Sequence, residues 1–293
     1  MTNRKYAGTW TALITPFKKD GSLDEDALRN LVKKQIEGGV TGVVPVGTTG
    51  ESPTLHEDEM KKVFEICVEE SKGKIMVMAG TGSNSTEKTV MNTIAAKAAG
   101  ADACLVVCPY YNKPMPEGLK RHYVAVAEVG LPVIVYNIKG RTGINMTTET
   151  LMELAKNPMI AGVKEASGDL NQMKEVIGAR PDSFTVLSGD DGLTLELMRM
   201  GGDGVISVAS NVVPGKVSEM VEYGLKGNFE EAGKINEYLA DMFKKLFIET
   251  NPIPVKYSAH KMGLCEAVYR LPMCEPMAGS RVILDEMLGN YNL

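Results

Sequence analysis

The sequence predicts an α/β chain folded as a (β/α)8 TIM barrel with a C-terminal helical extension, and three observations carry that prediction. Short, near-continuous apolar runs alternate with longer stretches of helical period. The runs number eight, the number of strands that closes a parallel barrel. No Gly-x-Gly-x-x-Gly follows the first run, which argues against a doubly wound open sheet. Gly80-Thr-Gly82 lacks the third glycine and reads as a turn.

The strand candidates are residues 8–17, 42–47, 74–80, 103–108, 132–137, 160–165, 184–188 and 204–208. They are near-continuous apolar runs rather than alternating ones, as strands covered on both faces should be. Between them lie amphipathic stretches such as 23–37, 56–72, 85–99 and 147–156. Ser85, Thr147 and Asp169 stand where helices should start, because their side-chain oxygens can take up free N–H groups of a first turn. Gly38-Gly39, Gly100 and Gly201-Gly202 stand where helices should stop. Past the eighth unit come helical stretches at 217–227, 229–248, 255–262 and 281–288, with no further clear strand. These boundaries put the barrel at 1–225 and the extension at 226–293.

Composition narrows the partners. The net charge is −5, from 32 basic and 37 acidic residues scattered along the chain. That balance excludes the basic face a nucleic acid or an anionic membrane would require. The five cysteines include no Cys-x-x-Cys pair, and Cys67, Cys104 and Cys108 sit in apolar runs, so buried thiols are expected. Three scattered histidines do not suggest a zinc site. The stretch from Met1 to Gly8 lacks the apolar segment of a secretion signal, and no apolar run approaches membrane-spanning length. A cytoplasmic chain is expected.

In a barrel the chemistry sits where strands end in loops at the C-terminal face. That face receives Gly47-Thr-Thr-Gly-Glu-Ser52, Pro109-Tyr-Tyr-Asn112, Tyr136-Asn137, Arg141, Lys164, Ser188-Gly-Asp-Asp191 and Ile206. Lys164, inside a buried strand, either pairs with an acid such as Glu165 or extends into the mouth as an amine whose desolvation lowers its pKa. Gly47 to Gly50 is either a turn with a helix cap or a cradle of hydroxyls and N–H groups for a carboxylate. Tyr136 and Tyr111 could relay protons through Thr48, or be amphipathic core residues. Arg141 could grip a carboxylate with its planar fork, or be solvated or paired structurally.

At these residues the sequence resembles the dihydrodipicolinate synthase family, within the wider N-acetylneuraminate lyase superfamily. The resemblance runs over nearly the whole chain, from Gly8-Thr-Trp-Thr-Ala-Leu-Ile-Thr-Pro-Phe17 through the loop segments above to Asn251-Pro-Ile-Pro-Val-Lys256 and Arg270-Leu-Pro272. It implies a Schiff-base condensation of pyruvate with L-aspartate 4-semialdehyde, in diaminopimelate and lysine biosynthesis. Lys164 would form the imine. Thr48, Tyr136 and Tyr111 would relay protons, Tyr111 reaching in from a neighbouring subunit. Thr49, with the backbone around Gly47, would bind the pyruvate carboxylate. Arg141 would meet the second substrate, and Ile206 would bring its carbonyl near the bound pyruvate. The resemblance implies a homotetramer built from tight dimers and no metal or organic cofactor.

Relatives that cleave sialic acid or keto-sugar acids share the lysine and the Gly-x-Thr-Gly-Glu loop. Arg141 in Arg-Thr-Gly suits a short amino-acid aldehyde and favours the synthase over them; a barrel that merely binds a 2-keto acid is disfavoured because nothing is missing from the catalytic set. Two departures stand out. Lys139 occupies a position where many members have proline, which leaves the segment carrying Arg141 less stiff. At the inhibitory lysine site of the family, Asn84 and Tyr110 match, whereas Lys88 replaces a carboxylate and Glu57 and Met60 replace histidines. Insensitivity to lysine, or weak sensitivity, is therefore expected.

Overall fold

The computed structural model describes residues 4–293; Met1 to Asn3, the first part of the N-terminal segment considered above, lie outside them. Eight parallel strands close in sequence order into a barrel. They are β1 (Gly8–Ala12), β2 (Gly42–Val44), β3 (Met76–Gly80), β4 (Ala103–Val107), β5 (Val133–Asn137), β6 (Ile160–Glu165), β7 (Thr185–Ser188) and β8 (Gly204–Ser207). Gly8 pairs with Gly204, which shuts the seam between first and last strands. A Cβ on Gly204 would fall 2.0 Å from the carbonyl oxygen of Gly8, so the seam closes only without a side chain there.

Around the barrel run α1 (Glu25–Glu37), α2 (Glu57–Ser71), α3 (Thr86–Ala99), α4 (Pro116–Ala127), the single turn α5 (Lys139–Thr142), α6 (Thr148–Leu154), α7 (Leu170–Ala179), α8 (Thr194–Arg199) and α9 (Pro214–Leu225). The expected caps are in place. Ser85 accepts from the Lys88 N–H, Thr147 from Thr150, and Asp169 from Asn171 and Gln172. Gly100 ends α3 in the left-handed conformation, at φ 94°. Cys67, Cys104 and Cys108 are buried thiols within the core.

Four strands, β1, β2, β4 and β8, end earlier than their apolar runs do, and for three of them the backbone says why. Pro45 has no N–H to give a ladder and Val46 turns to φ 57°, so β2 stops at Val44 rather than 47. The run 13–17 is buried, but Ile14 donates to the Asn211 side chain instead of a neighbouring strand. Val208 leaves β8 for a 3₁₀ turn (Ala209–Asn211). Burial made these residues apolar; loop formation, not pairing, uses them.

The extension consists of α10 (Phe229–Lys245), α11 (Ile253–Lys261) and α12 (Ala278–Asn290). Its anchor is a buried ion pair: Lys256 Nζ on α11 lies 2.5 Å from Glu51 Oε1, with side-chain exposures of 0% and 1%. Glu51 Oε2 also accepts the Arg270 N–H. Lys256 lies over the Phe17 ring at 4.2 Å. Burial pulls the pKa of Lys256 down, and Glu51 opposes that pull. Arg270 adds a bidentate contact to Glu59, whose carboxyl is held down to about 2 chiefly by that hydrogen bond. Both ties hold the segment after β2 against the extension.

Breaking such a pair strands a buried charge. Lys256→Met should cost about 3–5 kcal/mol of unfolding free energy. Adding Glu51→Gln should restore part of it, and urea denaturation of the two variants checks this. A double variant no more stable than Lys256→Met would show that the pair is not the anchor.

Candidate active site

Of the eight residues singled out from the sequence, all but Tyr111 line one cavity at the C-terminal mouth of the barrel. It holds about 460 Å³, counting the space open to solvent, and adjoins an outer cleft reached past Tyr110 and Arg141.

Lys164 rises into this cavity from β6, in register with Tyr136 on β5 and Leu187 on β7. Among the described residues it has no ion-pair partner, and its Nζ lies 4.2 Å from the centroid of the Tyr136 ring. The pairing with Glu165 is absent because successive strand residues point to opposite sides. Glu165 faces outward, where Asn137 Nδ2, the Ser167 N–H and Gln172 Nε2 donate to it. Desolvation drags the Lys164 pKa from 10.5 to about 7. Asp191 opposes the shift and Arg141 adds to it. Asp191 is itself held back by accepting the N–H groups of Val208 and Ala209. Desolvation therefore favours the neutral, nucleophilic form of this amine far more than it is favoured in an ordinary lysine.

Tyr136 stays protonated: burial pushes its hydroxyl up to about 12, with Arg141 and a hydrogen bond to Thr48 pulling the other way. Thr48 and Thr49 sit on a loop shaped by left-handed residues at each end, Val46 at φ 57° and Glu51 at φ 53°. The Gly47 carbonyl accepts from Gly50 and Ser52, while the N–H groups of Thr48 and Thr49 have no partner among the described residues. Those N–H groups and two hydroxyls make the loop an acceptor of small anions. Gly80 permits this shape, since a Cβ there would fall 2.3 Å from the Val46 carbonyl oxygen.

Arg141 lies in α5, exposed, with Nη2 donating to the Asn251 carbonyl at 3.0 Å. Within the turn that carries Arg141, Thr142 bonds back to the backbone on either side. Its buried hydroxyl lies within hydrogen-bonding distance of the Ile138 and Ile144 carbonyls. Ile206 is buried at the cavity wall on β8. Tyr111 is apart from the rest: it is 89% exposed, at φ 74°, and lines neither the cavity nor the cleft. Of the other residues considered, Lys88 and Glu57 are exposed, Met60 is buried, and Asn84 accepts from Asn112 Nδ2.

Two contributors had not been assigned roles from the sequence. Gly189 makes room for the lysine: a Cβ there would lie 3.0 Å from Lys164 Cε and 2.5 Å from Ala166 Cβ. Asn251 comes from the extension to bond the Thr49 hydroxyl at 2.9 Å. Both lie in segments matched as family motifs, and neither has a chemistry that announces a site.

Comparison with known proteins identifies the family. A 4-hydroxy-tetrahydrodipicolinate synthase from Endomicrobium trichonymphae is 49% identical over 98% of this chain and 99% of its own length. The dihydrodipicolinate synthase structure from Aquifex aeolicus superposes with a TM-score of 0.96 at 45% identity, covering 98% of this chain and 99% of that one. The dihydrodipicolinate synthase of Acinetobacter baumannii, solved in complex with pyruvate, gives a TM-score of 0.96 at 41% identity, covering 98% and 99%. The model of the dihydrodipicolinate synthetase family matches residues 5–288, and the chain belongs to that family.

Proposed function

We propose that this enzyme condenses pyruvate with L-aspartate 4-semialdehyde through a Schiff base on Lys164, the 4-hydroxy-tetrahydrodipicolinate synthase reaction of diaminopimelate and lysine biosynthesis. The observation that carries this reading is a buried amine, its pKa lowered by desolvation, that has no ion-pair partner among the described residues and stands beside the Tyr136 ring and a loop with free N–H groups. A neutral amine has the lone pair that attacks a ketone. The nitrogen adds to the keto carbon of pyruvate, and loss of water leaves a protonated imine. That cation drains electrons from the methyl group, which gives up a proton to become an enamine. The enamine carbon bonds to the aldehyde carbon of the second substrate, whose oxygen takes a proton. The second substrate's amine then attacks the imine carbon, closing the ring and expelling the lysine amine.

In this reaction Thr48 and Tyr136 carry the protons; Tyr136, with its raised pKa, donates more readily than it ionises. Thr49 and the free N–H groups around Gly47 take the pyruvate carboxylate, and Ile206 closes the wall beside it. Arg141, in the cleft entrance, takes the carboxylate of the semialdehyde. A site whose fork awaits a short acidic aldehyde favours this substrate over sialic acid or a keto-sugar acid. The exposed Tyr111 serves the relay in a neighbouring copy, within a homotetramer assembled as a dimer of dimers. Residues 1–225 form the catalytic barrel and 226–293 the helical extension. Among the described residues no helix is long and apolar enough to cross a membrane, and the reaction is assigned to the cytoplasm, with no metal or organic cofactor.

Turnover of pyruvate plus aspartate semialdehyde, coupled to a dihydrodipicolinate reductase, tests the function. Rapid reductant consumption is expected. Turnover only with sialic or keto-sugar acids, or pyruvate binding without turnover, would replace the reading. Adding lysine at sub-millimolar concentration should leave the rate nearly unchanged, since Lys88 repels the ligand's ammonium groups.

Borohydride trapping separates the roles. Lys164→Ala should abolish pyruvate-dependent mass gain, whereas Tyr136→Phe should still be trapped but turn over about 10²–10⁴-fold more slowly. Trapping retained in the alanine variant refutes Lys164.

The pH dependence follows from the direction of the lysine shift. Below its folded pKa the amine is protonated and inert, so imine formation should climb through about pH 7 and level off above it. Asp191→Asn removes the charge that raises this pKa, so the midpoint should move to lower pH. A stopped-flow pH profile of imine formation measures both; a rise centred near pH 10 contradicts the assignment.

A further inference from the structure

Asn251 lies between the two groups assigned to substrate carboxylates, although it is 202 residues from one and 110 from the other. Its Nδ2 donates to Thr49 Oγ1 at 2.9 Å, and its main-chain carbonyl accepts from Arg141 Nη2 at 3.0 Å. Asn251 and Thr49 are both buried, at 6% and 4% exposure, and both line the cavity that holds Lys164.

The direction of the first bond matters. A hydroxyl has one proton and two lone pairs. Because the carboxamide donates, it occupies a lone pair of Thr49 and leaves the Thr49 proton for another acceptor. A carboxylate can only accept, so this is the rotamer that suits an anionic ligand. The other end of the carboxamide, Oδ1, is buried with no partner among the described residues. Leaving a buried acceptor unmatched is costly, and an apolar side chain here would avoid that cost. An amide at this place supplies a donor without charge. Aspartate could only accept, and a cation would stand close to an amine that has to be neutral.

We propose that Asn251 is a positioning residue: its carboxamide orients the Thr49 hydroxyl as a donor to the carboxylate of the 2-keto acid, and its main chain holds Arg141 over the entrance. This rests on the reading of Lys164 as the pyruvate imine former. It makes the extension a part of substrate recognition through one side chain and one carbonyl.

The test uses the isosteric variant Asn251→Asp in the full-length enzyme. The new carboxylate would draw the Thr49 proton to itself and turn oxygen lone pairs toward the substrate. The KM for pyruvate should rise by about tenfold or more, with a smaller change in kcat at saturating pyruvate. Asn251→Ala frees the hydroxyl to rotate and should raise the same KM by only about threefold. In a Thr49→Val background the aspartate should add less than about threefold, because the hydroxyl it acts through is gone. A KM for Asn251→Asp within about twofold of the parent overturns the proposal, as does an undiminished effect in the Thr49→Val background, which would mean plain charge repulsion. Should Asn251→Asp fail to fold by circular dichroism, the cycle of Asn251→Ala with Thr49→Val decides instead; strictly additive effects on KM reject the coupling. Borohydride trapping of the parent enzyme with pyruvate is run alongside. No trapping there defeats the imine reading itself, whereas trapping with an unaltered Asn251→Asp defeats only the role given to Asn251.

Discussion

A lysine amine kept inside a sheet without a counterion is the constraint on which the rest of this structure depends. Burying an ammonium costs several kcal/mol, and proteins usually offset that cost with a paired carboxylate. Here the obvious partners are engaged elsewhere. Glu165, next in the chain, points to the other side of the strand and is held by Asn137, Ser167 and Gln172. Asp191 acts on Lys164 through space, while its carboxylate accepts two backbone N–H groups of the turn after β8. Charge is therefore left unfavourable at Lys164, and the lysine meets the cost by giving up its proton near pH 7 rather than by finding a partner. Stability and reactivity are two consequences of one desolvation.

The mouth around that amine is assembled from both ends of the chain. The Thr48–Thr49 loop leaves β2 through a left-handed Val46 and enters its short 3₁₀ turn, Ser52–Thr54, through a left-handed Glu51. Such residues are strained, and strain persists where surroundings over-determine it. The Glu51–Lys256 pair, the Arg270 contacts to Glu59 and Asn251 beneath Thr49 provide that determination from the extension. The helices after the barrel therefore brace the loop that would touch substrate, and their contribution is rigidity as much as covered surface.

Much of this was legible in the sequence because it is local or periodic. Eight apolar runs, three helix caps and the stop at Gly100 depend on residues within a few positions of each other, and all stand where the pattern placed them. Strand starts came out well and strand ends less so. The runs 13–17 and 45–47 are apolar because they are buried, and composition alone does not distinguish a buried loop from a buried strand. Lys164 was conspicuous as a cation in an apolar run, and the hydroxyls of Thr48 and Tyr136 fell at strand ends as barrel geometry requires.

By itself, then, the sequence determined the closed eightfold barrel and the mouth at which its polar residues gather, because both are written in the spacing of apolar and polar residues. Tertiary structure alone decided that Gly189 clears space for Lys164 and that Asn251 ties Thr49 to Arg141. It also decided that Tyr111 projects away from its own cavity. These depend on which side chains meet across long separations. Contacts of that kind are fixed by closure of the barrel and docking of the extension, and they leave no periodic trace in the chain.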